Sequence, residues 1–175
     1  KETALELNSL SKSHNMAGWR IGMVAGHSEY ISNILKVKSN MDSGMFRALQ
    51  TAAVEALGNP PSWYDTVNSV YTKRRIIVEE IMNILNCSFD KDQSGLFVWG
   101  RIPDSIASCE LFVDDILNNA HVFITPGFIF GSNGDRYIRI SLCADEKTLS
   151  ETRRRIVKYL DKEKNVSIEI SLNSS

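Results

Sequence analysis

Val67, Val70, Tyr71, Ile77, Val78, Ile81, Met82 and Leu85 share one stripe of a helix that starts near Ser62 and runs for about six turns. A helix this long with a single apolar face must bury that face against a second layer. The downstream sequence supplies one. Gly95-Leu96-Phe97-Val98-Trp99, His121-Val122-Phe123-Ile124-Thr125 and Arg136-Tyr137-Ile138-Arg139-Ile140-Ser141-Leu142 are short, apolar and bounded by turn residues, which predicts three strands. Residues 104–118 predict a helix between them. Asp145 opens a last one, with Leu149, Ile156, Val157 and Leu160 inward, ending near Leu160. Strands alternating with helices predict an α/β layered fold.

Upstream, Thr3-Ala4-Leu5-Glu6-Leu7 predicts a strand, residues 8–15 a polar loop, and the glycine-fenced run Trp19 to Gly26 a second strand. Ser28 predicts the cap of a helix reaching about Lys38, and a further helix from about Met45 to Leu57 stops at Gly58-Asn59-Pro60-Pro61. That stop predicts a boundary, with residues 1–58 on one side and a compact α/β domain, 59–160, on the other. In the tail, 161–175, a charged run precedes Val166-Ser167-Ile168-Glu169-Ile170-Ser171-Leu172, whose alternation predicts an edge strand.

Composition narrows the function classes. A formal net charge of −1 argues against a partner held by phosphate neutralisation, such as nucleic acid. Hydrophobic residues make up 43% of the chain, enough for a real core. Three widely spaced cysteines, Cys87, Cys109 and Cys143, predict neither a disulfide framework nor a metal knuckle; Cys109 and Cys143, in apolar company, are expected in the core. The sequence has no run of roughly 18 apolar residues to cross a membrane and no signal-peptide pattern, so a reducing cytoplasmic setting is expected. The start at Lys1 rather than Met leads us to expect a piece of a longer protein.

The sharpest local feature is Ser9-x-Ser11-Lys12 followed by Gly18-x-Arg20-x-Gly22. A lysine rooted at the end of a strand suits imine chemistry, because a rigid element fixes its base while its amine reacts. The two hydroxyls and the arginine are groups that grip a phosphate monoester. A carbonyl compound with a phosphate handle satisfies both halves, and pyridoxal phosphate is such a compound. Spacing alone also permits a solvated lysine and an arginine stacked on Trp19.

In the predicted strand 136–142, Ile138, Ile140 and Leu142 share one face and Tyr137, Arg139 and Ser141 the other, so Arg139 points away from the core. His14, His27 and His121 have no partner spacing for a metal or a nucleophile triad, and no metal site is expected. Trp63, Tyr64 and Tyr71 are read as packing residues, and Arg153-Arg154-Arg155 as a solvated helix face. The loop with Gly127, Gly131 and Gly134 lacks the lysine and the following helix of a nucleotide-phosphate loop.

The run from Ser9 to Gly22 resembles the Schiff-base lysine signature of the class I/II aminotransferases, fold-type I pyridoxal-phosphate enzymes. Lys36 to Phe46, the helix start at Tyr64 to Arg75, Gly95 to Trp99, Thr125-Pro126-Gly127 and Arg136 to Leu142 resemble later landmarks of that family in the same order. The resemblance implies the C-terminal part of such an enzyme. Residues 1–58 would be a remnant of the large cofactor-binding domain with the lysine loop, and 59–160 the small domain. It implies that Lys12 forms the Schiff base and shuttles the proton, that Ser9, Ser11 and Arg20 hold the cofactor phosphate, and that Arg139 binds the substrate α-carboxylate.

Amino acid and 2-oxo acid substrates and a homodimer are implied likewise. In the family, the partner of the pyridine nitrogen, the ring-stacking aromatic and the groups at the 3-hydroxyl precede the lysine by more residues than stand here. The isolated chain is therefore expected to lack activity, with residues 1–58 held by swapping or dimer contacts. Two alternatives stand: a fold-type I lyase, such as a C–S lyase or an aminocyclopropane-carboxylate-forming enzyme, and a non-catalytic dimerisation or interaction module.

Overall fold

A computed structural model describes the backbone of residues 2–173 and the side chains of residues 2–163. The chain divides into two compact units, Lys1–Tyr64 and Asp65–Ser175.

In the first unit, β1 (Glu6–Ser9) and β2 (Gly22–Ala25) pair antiparallel, with Ser9 opposite Gly22. Between them lie one helical turn, α1 (Leu10–Ser13), and a 3₁₀ turn, Ala17–Trp19. The chain re-enters the hairpin through Arg20, in the left-handed region at φ +52°. Gly22 is demanded by the pairing, since a Cβ there would lie 2.6 Å from the Asn8 carbonyl oxygen. Two helices follow, α2 (Ser28–Met41) and α3 (Arg47–Leu57). His27 rather than Ser28 caps α2, its Nδ1 accepting the Glu29 N–H at 3.4 Å. Leu10, Met16, Ile21 and Ala53 form the small core of this unit. α2 buries none of its residues.

The next helix, α4 (Pro61–Ile84), opens with proline in its first turn, where no N–H is needed. In the second unit it is followed by β3 (Ser88–Phe89), β4 (Phe97–Arg101), α5 (Cys109–Ala120), β5 (Thr125–Pro126), β6 (Tyr137–Ser141) and α6 (Glu146–Asn173). The strands form one antiparallel sheet in the order β3-β4-β6-β5. Val98, Ile138 and Ile140 face a core shared with Val78, Ile81 and Met82 of α4, Ile116 of α5 and Ile156 of α6. Fully burying each such side chain is worth roughly 1.5–3 kcal/mol. Gly100 lets α4 lie close to the sheet, because a Cβ there would stand 2.8 Å from the Met82 sulfur. Ser108 caps α5 by accepting the Leu111 N–H at 3.2 Å, and Asp145 accepts the Thr148 N–H at 2.7 Å at the start of α6.

The structure corrects three further expectations. The tail joins α6, which continues to Asn173, instead of forming an edge strand. No glycine or proline stands between Glu146 and Asn173 to stop the helix, and elongation costs little once a helix is running. Of the stretch predicted as a strand only Thr125 pairs with β6, joined by Pro126 just beyond it; the chain leaves α5 through His121, left-handed at φ +54°. Cys109 is buried as expected, but Cys143 is exposed beyond the end of β6. Strand pairing is antiparallel throughout the described residues.

Two predictions follow from this packing. Gly127 and Gly134 meet backbone to backbone, and a Cβ on Gly127 would lie 2.3 Å from the Gly134 carbonyl oxygen. Gly127→Ala should destabilise the second unit by about 2–3 kcal/mol, read as a lowered urea midpoint. Glu151 accepts hydrogen bonds from Arg154 and Arg155, which hold its carboxyl at about 2, well below the ordinary 4.5. Because folding depresses this pKa, its stabilisation is complete above pH 4.5 and disappears as the pH falls toward 2. The melting-temperature gap between the wild type and Glu151→Gln should therefore close over that interval.

Candidate active site

The lysine turn is built by the end of β1. Ser9 caps α1: its Oγ accepts the Ser11 N–H at 3.2 Å and donates to the Ser11 Oγ at 2.9 Å. The Leu10 side chain is buried and its N–H donates to the Ile21 carbonyl at 3.3 Å, which anchors the turn to the strand that returns. Sequence reasoning predicts a loop at residues 8–15. The structure instead extends β1 through Ser9 and winds residues 10–13 into a helical turn, because Ser9 supplies the cap that a single turn needs.

Lys12 is exposed on that turn, one residue beyond the hydroxyl pair. Arg20 is also exposed; one Nη1–H donates to the Ala17 carbonyl at 3.1 Å, and among the described residues no carboxylate pairs with it. Ser9, Ser11 and Lys12 thus share one turn, and Arg20 sits where the chain re-enters the hairpin. Two hydroxyls, an ammonium and the Arg20 guanidinium, which no carboxylate pairs among the described residues, form a donor set that fits a phosphate monoester carrying a carbonyl group.

One residue of this turn is invisible to spacing arguments. His14 is buried, with Nδ1 2.9 Å from the Ser13 Oγ and Nε2 2.9 Å from the Tyr64 hydroxyl. Tyr64 follows it by fifty residues, so only the hairpin shape of the motif, returning toward the head of α4, could have hinted at the pair.

Arg139 belongs to the second unit. The register of β6 sends Ile138 and Ile140 into the core and Tyr137, Arg139 and Ser141 to the other face, as the alternation predicts. There the guanidinium lies 4.2 Å from the ring centre of Phe97 on β4 and 4.2 Å from that of Phe130, which reaches it from the 3₁₀ turn Gly127–Phe130. Trp99 stacks on Tyr137 at 5.3 Å and meets Phe130 edge-on at 5.8 Å, which fixes the platform. No carboxylate pairs with Arg139 among the described residues. Aromatic rings hold the guanidinium while its N–H fork stays available for two-point contact with a carboxylate.

Other charged residues are spent structurally. Arg136 donates to the carbonyls of Pro103 at 2.7 Å, Ala107 at 3.1 Å and Ile106. Arg154 and Arg155 pair with Glu151, and Arg153 with Glu80, so that basic run is only partly a solvated face. Burial pushes the Cys87 thiol up to about 12, which removes it as a nucleophile. Among the described residues, no cluster of three or more His, Cys, Asp or Glu side chains is arranged for a metal ion, and no helix is long and apolar enough to cross a membrane.

Comparison with known proteins adds an independent line. The sequence model of aminotransferase class I and II matches residues 1–156. The chain is similar to an LL-diaminopimelate aminotransferase of Oleidesulfovibrio alaskensis, 39% identical over 155 residues, covering 89% of this chain and 40% of the relative. A protein of the same name from Moorella thermoacetica is 37% identical over 162 residues, covering 93% and 41%. Among solved structures, an aromatic aminotransferase from Pyrococcus horikoshii aligns with a TM-score of 0.84 at 29% identity, covering 93% of this chain and 44% of that one. The chain therefore spans about two fifths of the length of the curated relatives it matches.

The ring clamp on Arg139 gives a direct test. Arg139→Lys keeps the charge but loses the planar group between Phe97 and Phe130, and should lower the stability of the second unit by about 1 kcal/mol in a urea titration. Phe130→Ala should cost a similar amount, about 1 kcal/mol, and the double variant less than the sum of the two.

Proposed function

The chain belongs to the aminotransferase class I and II family, and we propose that it is the C-terminal portion of a pyridoxal-phosphate-dependent aminotransferase acting between an amino acid and a 2-oxo acid. The observation that carries this reading is the capped turn on which Ser9, Ser11 and Lys12 stand together. Pyridoxal phosphate, when bound, supplies an aldehyde for the amino group and a ring that draws electrons from the substrate α-carbon.

This chain's residues do the rest. Ser9, Ser11 and Arg20 bind the phosphate by hydroxyl and guanidinium donors. The Lys12 amine would take up the proton released at the substrate α-carbon and pass it on to the cofactor side as the amino group moves. Arg139 binds the substrate α-carboxylate through its N–H fork, held flat by Phe97 and Phe130. Curated relatives named LL-diaminopimelate aminotransferase support a substrate with two amino acid ends, whereas the aromatic aminotransferase among the structural neighbours supports an aromatic one. We leave the substrate at the class that both share, a 2-amino acid.

We also propose that residues 1–175 alone do not turn over amino acids. The chain spans two fifths of its relatives, and its first unit leaves the apolar side chains of Leu7, Met41, Phe46 and Val54 each at least 69% exposed. A homodimer in the whole protein agrees with that exposure, and three free cysteines agree with a reducing, cytoplasmic setting.

The test is incubation of the chain with pyridoxal phosphate, borohydride reduction and peptide mapping by mass. Lys12 should carry the adduct ahead of the other lysines, and Lys12→Ala should lose it. Labelling of Lys12 no faster than that of surface lysines overturns the cofactor assignment. Release of 2-oxo acid from amino acids by the isolated chain would overturn its reading as a catalytically incomplete portion.

A further inference from the structure

We infer that His14 is a positioning residue for Lys12, holding the C-terminal end of the lysine turn through one directed line of hydrogen bonds that begins at Tyr64. The inference rests on the cofactor reading of Lys12, and every residue in it lies in the first unit.

The direction of the line follows from donor and acceptor capacity. The Ser13 Oγ lies 3.3 Å from the Ser9 carbonyl, which can only accept, so the single Ser13 hydroxyl hydrogen goes there. Ser13 must then accept from His14, which puts the imidazole proton on Nδ1, 2.9 Å away. Nε2 is left with a lone pair, and the Tyr64 hydroxyl 2.9 Å from it donates. The line runs from Tyr64 to His14 to Ser13 to the Ser9 carbonyl, on the same residue whose side chain caps the turn.

The surroundings fit a fixed ring. His14 is 9% exposed, stacks on Trp63 with ring centres 5.5 Å apart and 21° between planes, and meets Tyr64 edge-on at 5.5 Å. A buried imidazole with an unsatisfied nitrogen would be costly, and here both nitrogens are paired. α1 has four residues, far fewer than a helix needs to persist by itself. Its N-terminal end is held by the Ser9 hydroxyl and the Leu10 anchor. The His14 line holds the other end, so Lys12 keeps its place relative to the Ser9 and Ser11 hydroxyls. The ring suits the role because, with Nδ1 donating and Nε2 accepting, it directs two hydrogen bonds from opposite sides of one rigid group.

The experiment uses the 175-residue chain and reads three quantities. ¹⁵N spectra of the imidazole should show the proton on Nδ1. Amide hydrogen exchange at Lys12 and Ser13 should accelerate about tenfold in His14→Phe, which keeps a ring against Trp63 but removes both nitrogens, and about threefold in Tyr64→Phe. The ratio of Lys12 to other-lysine labelling by pyridoxal phosphate and borohydride should fall by similar factors, and His14→Asn, which restores a donor toward Ser13, should recover most of the loss.

Melting curves identify any variant that fails to fold, and Tyr64→Phe, a single-hydroxyl deletion, then decides the matter. A proton on Nε2, or unchanged exchange at Lys12 and Ser13 in folded Tyr64→Phe and His14→Phe, overturns the inference. If wild-type Lys12 labels no faster than other lysines, the cofactor reading falls, while the tautomer and the exchange rates still decide what His14 does for the turn.

Discussion

The second unit depends on the pairing of β4 with β6, because side chains alternate across two strands held in one register. Val98 opposite Ile140 and Gly100 opposite Ile138 point to the helices, while Phe97 opposite Ser141, Trp99 opposite Arg139 and Arg101 opposite Tyr137 point the other way. A shift of one residue would exchange the faces, burying the Arg139 guanidinium and exposing Ile138. The core and the aromatic face that carries Arg139 are therefore two sides of one constraint. The apolar burial that stabilises the sheet also fixes where the guanidinium stands, and Met82 packed at Gly100 keeps α4 close to the inner face.

The first unit solves a related problem with less material. Its hairpin holds a single helical turn between strands, and a single turn has no stability of its own. Serine hydroxyls close that deficit at the N-terminal end, where the same Oγ that caps the backbone also stands beside the Ser11 hydroxyl. Preorganised side chains need fixed backbone roots, and a capped turn places those of Ser9, Ser11 and Lys12 at once.

What could be read from the sequence divides along physical lines. Periodic signals carried over: the stripe through Val78, Ile81 and Met82 is the buried face of α4, and the alternation around Arg139 gave its direction. Signals that depend on one local acceptor did not. The cap on α2 is a His27 nitrogen rather than the Ser28 hydroxyl, and the supposed lysine loop is a turn because Ser9 bonds its own neighbour. The tail alternates apolar and polar residues from Val166 to Leu172 yet continues α6, since nothing upstream ends the helix. The partnership of His14 with Tyr64 left no trace at fifty residues' separation.

The contrast in burial between the two units bears on what the chain is for. Ile81, Met82, Ile138, Leu142 and Ile156 are 0% exposed in the second unit, whereas among the described residues the first unit brings only Leu10, Met16, Ile21, Ala53 and the polar His14 below a tenth. A unit with so small a core and so much exposed apolar surface gains little from its own packing, and its geometry must rest on hydrogen bonds and on whatever covers that surface. The groups with chemical potential in it, Ser9, Ser11 and Lys12, sit on the part tied most closely by hydrogen bonds, not on α2, which buries nothing. Local polar order thus preserves the lysine turn where apolar burial is thin, which is the arrangement expected of a reactive site placed at the margin of a core rather than inside it.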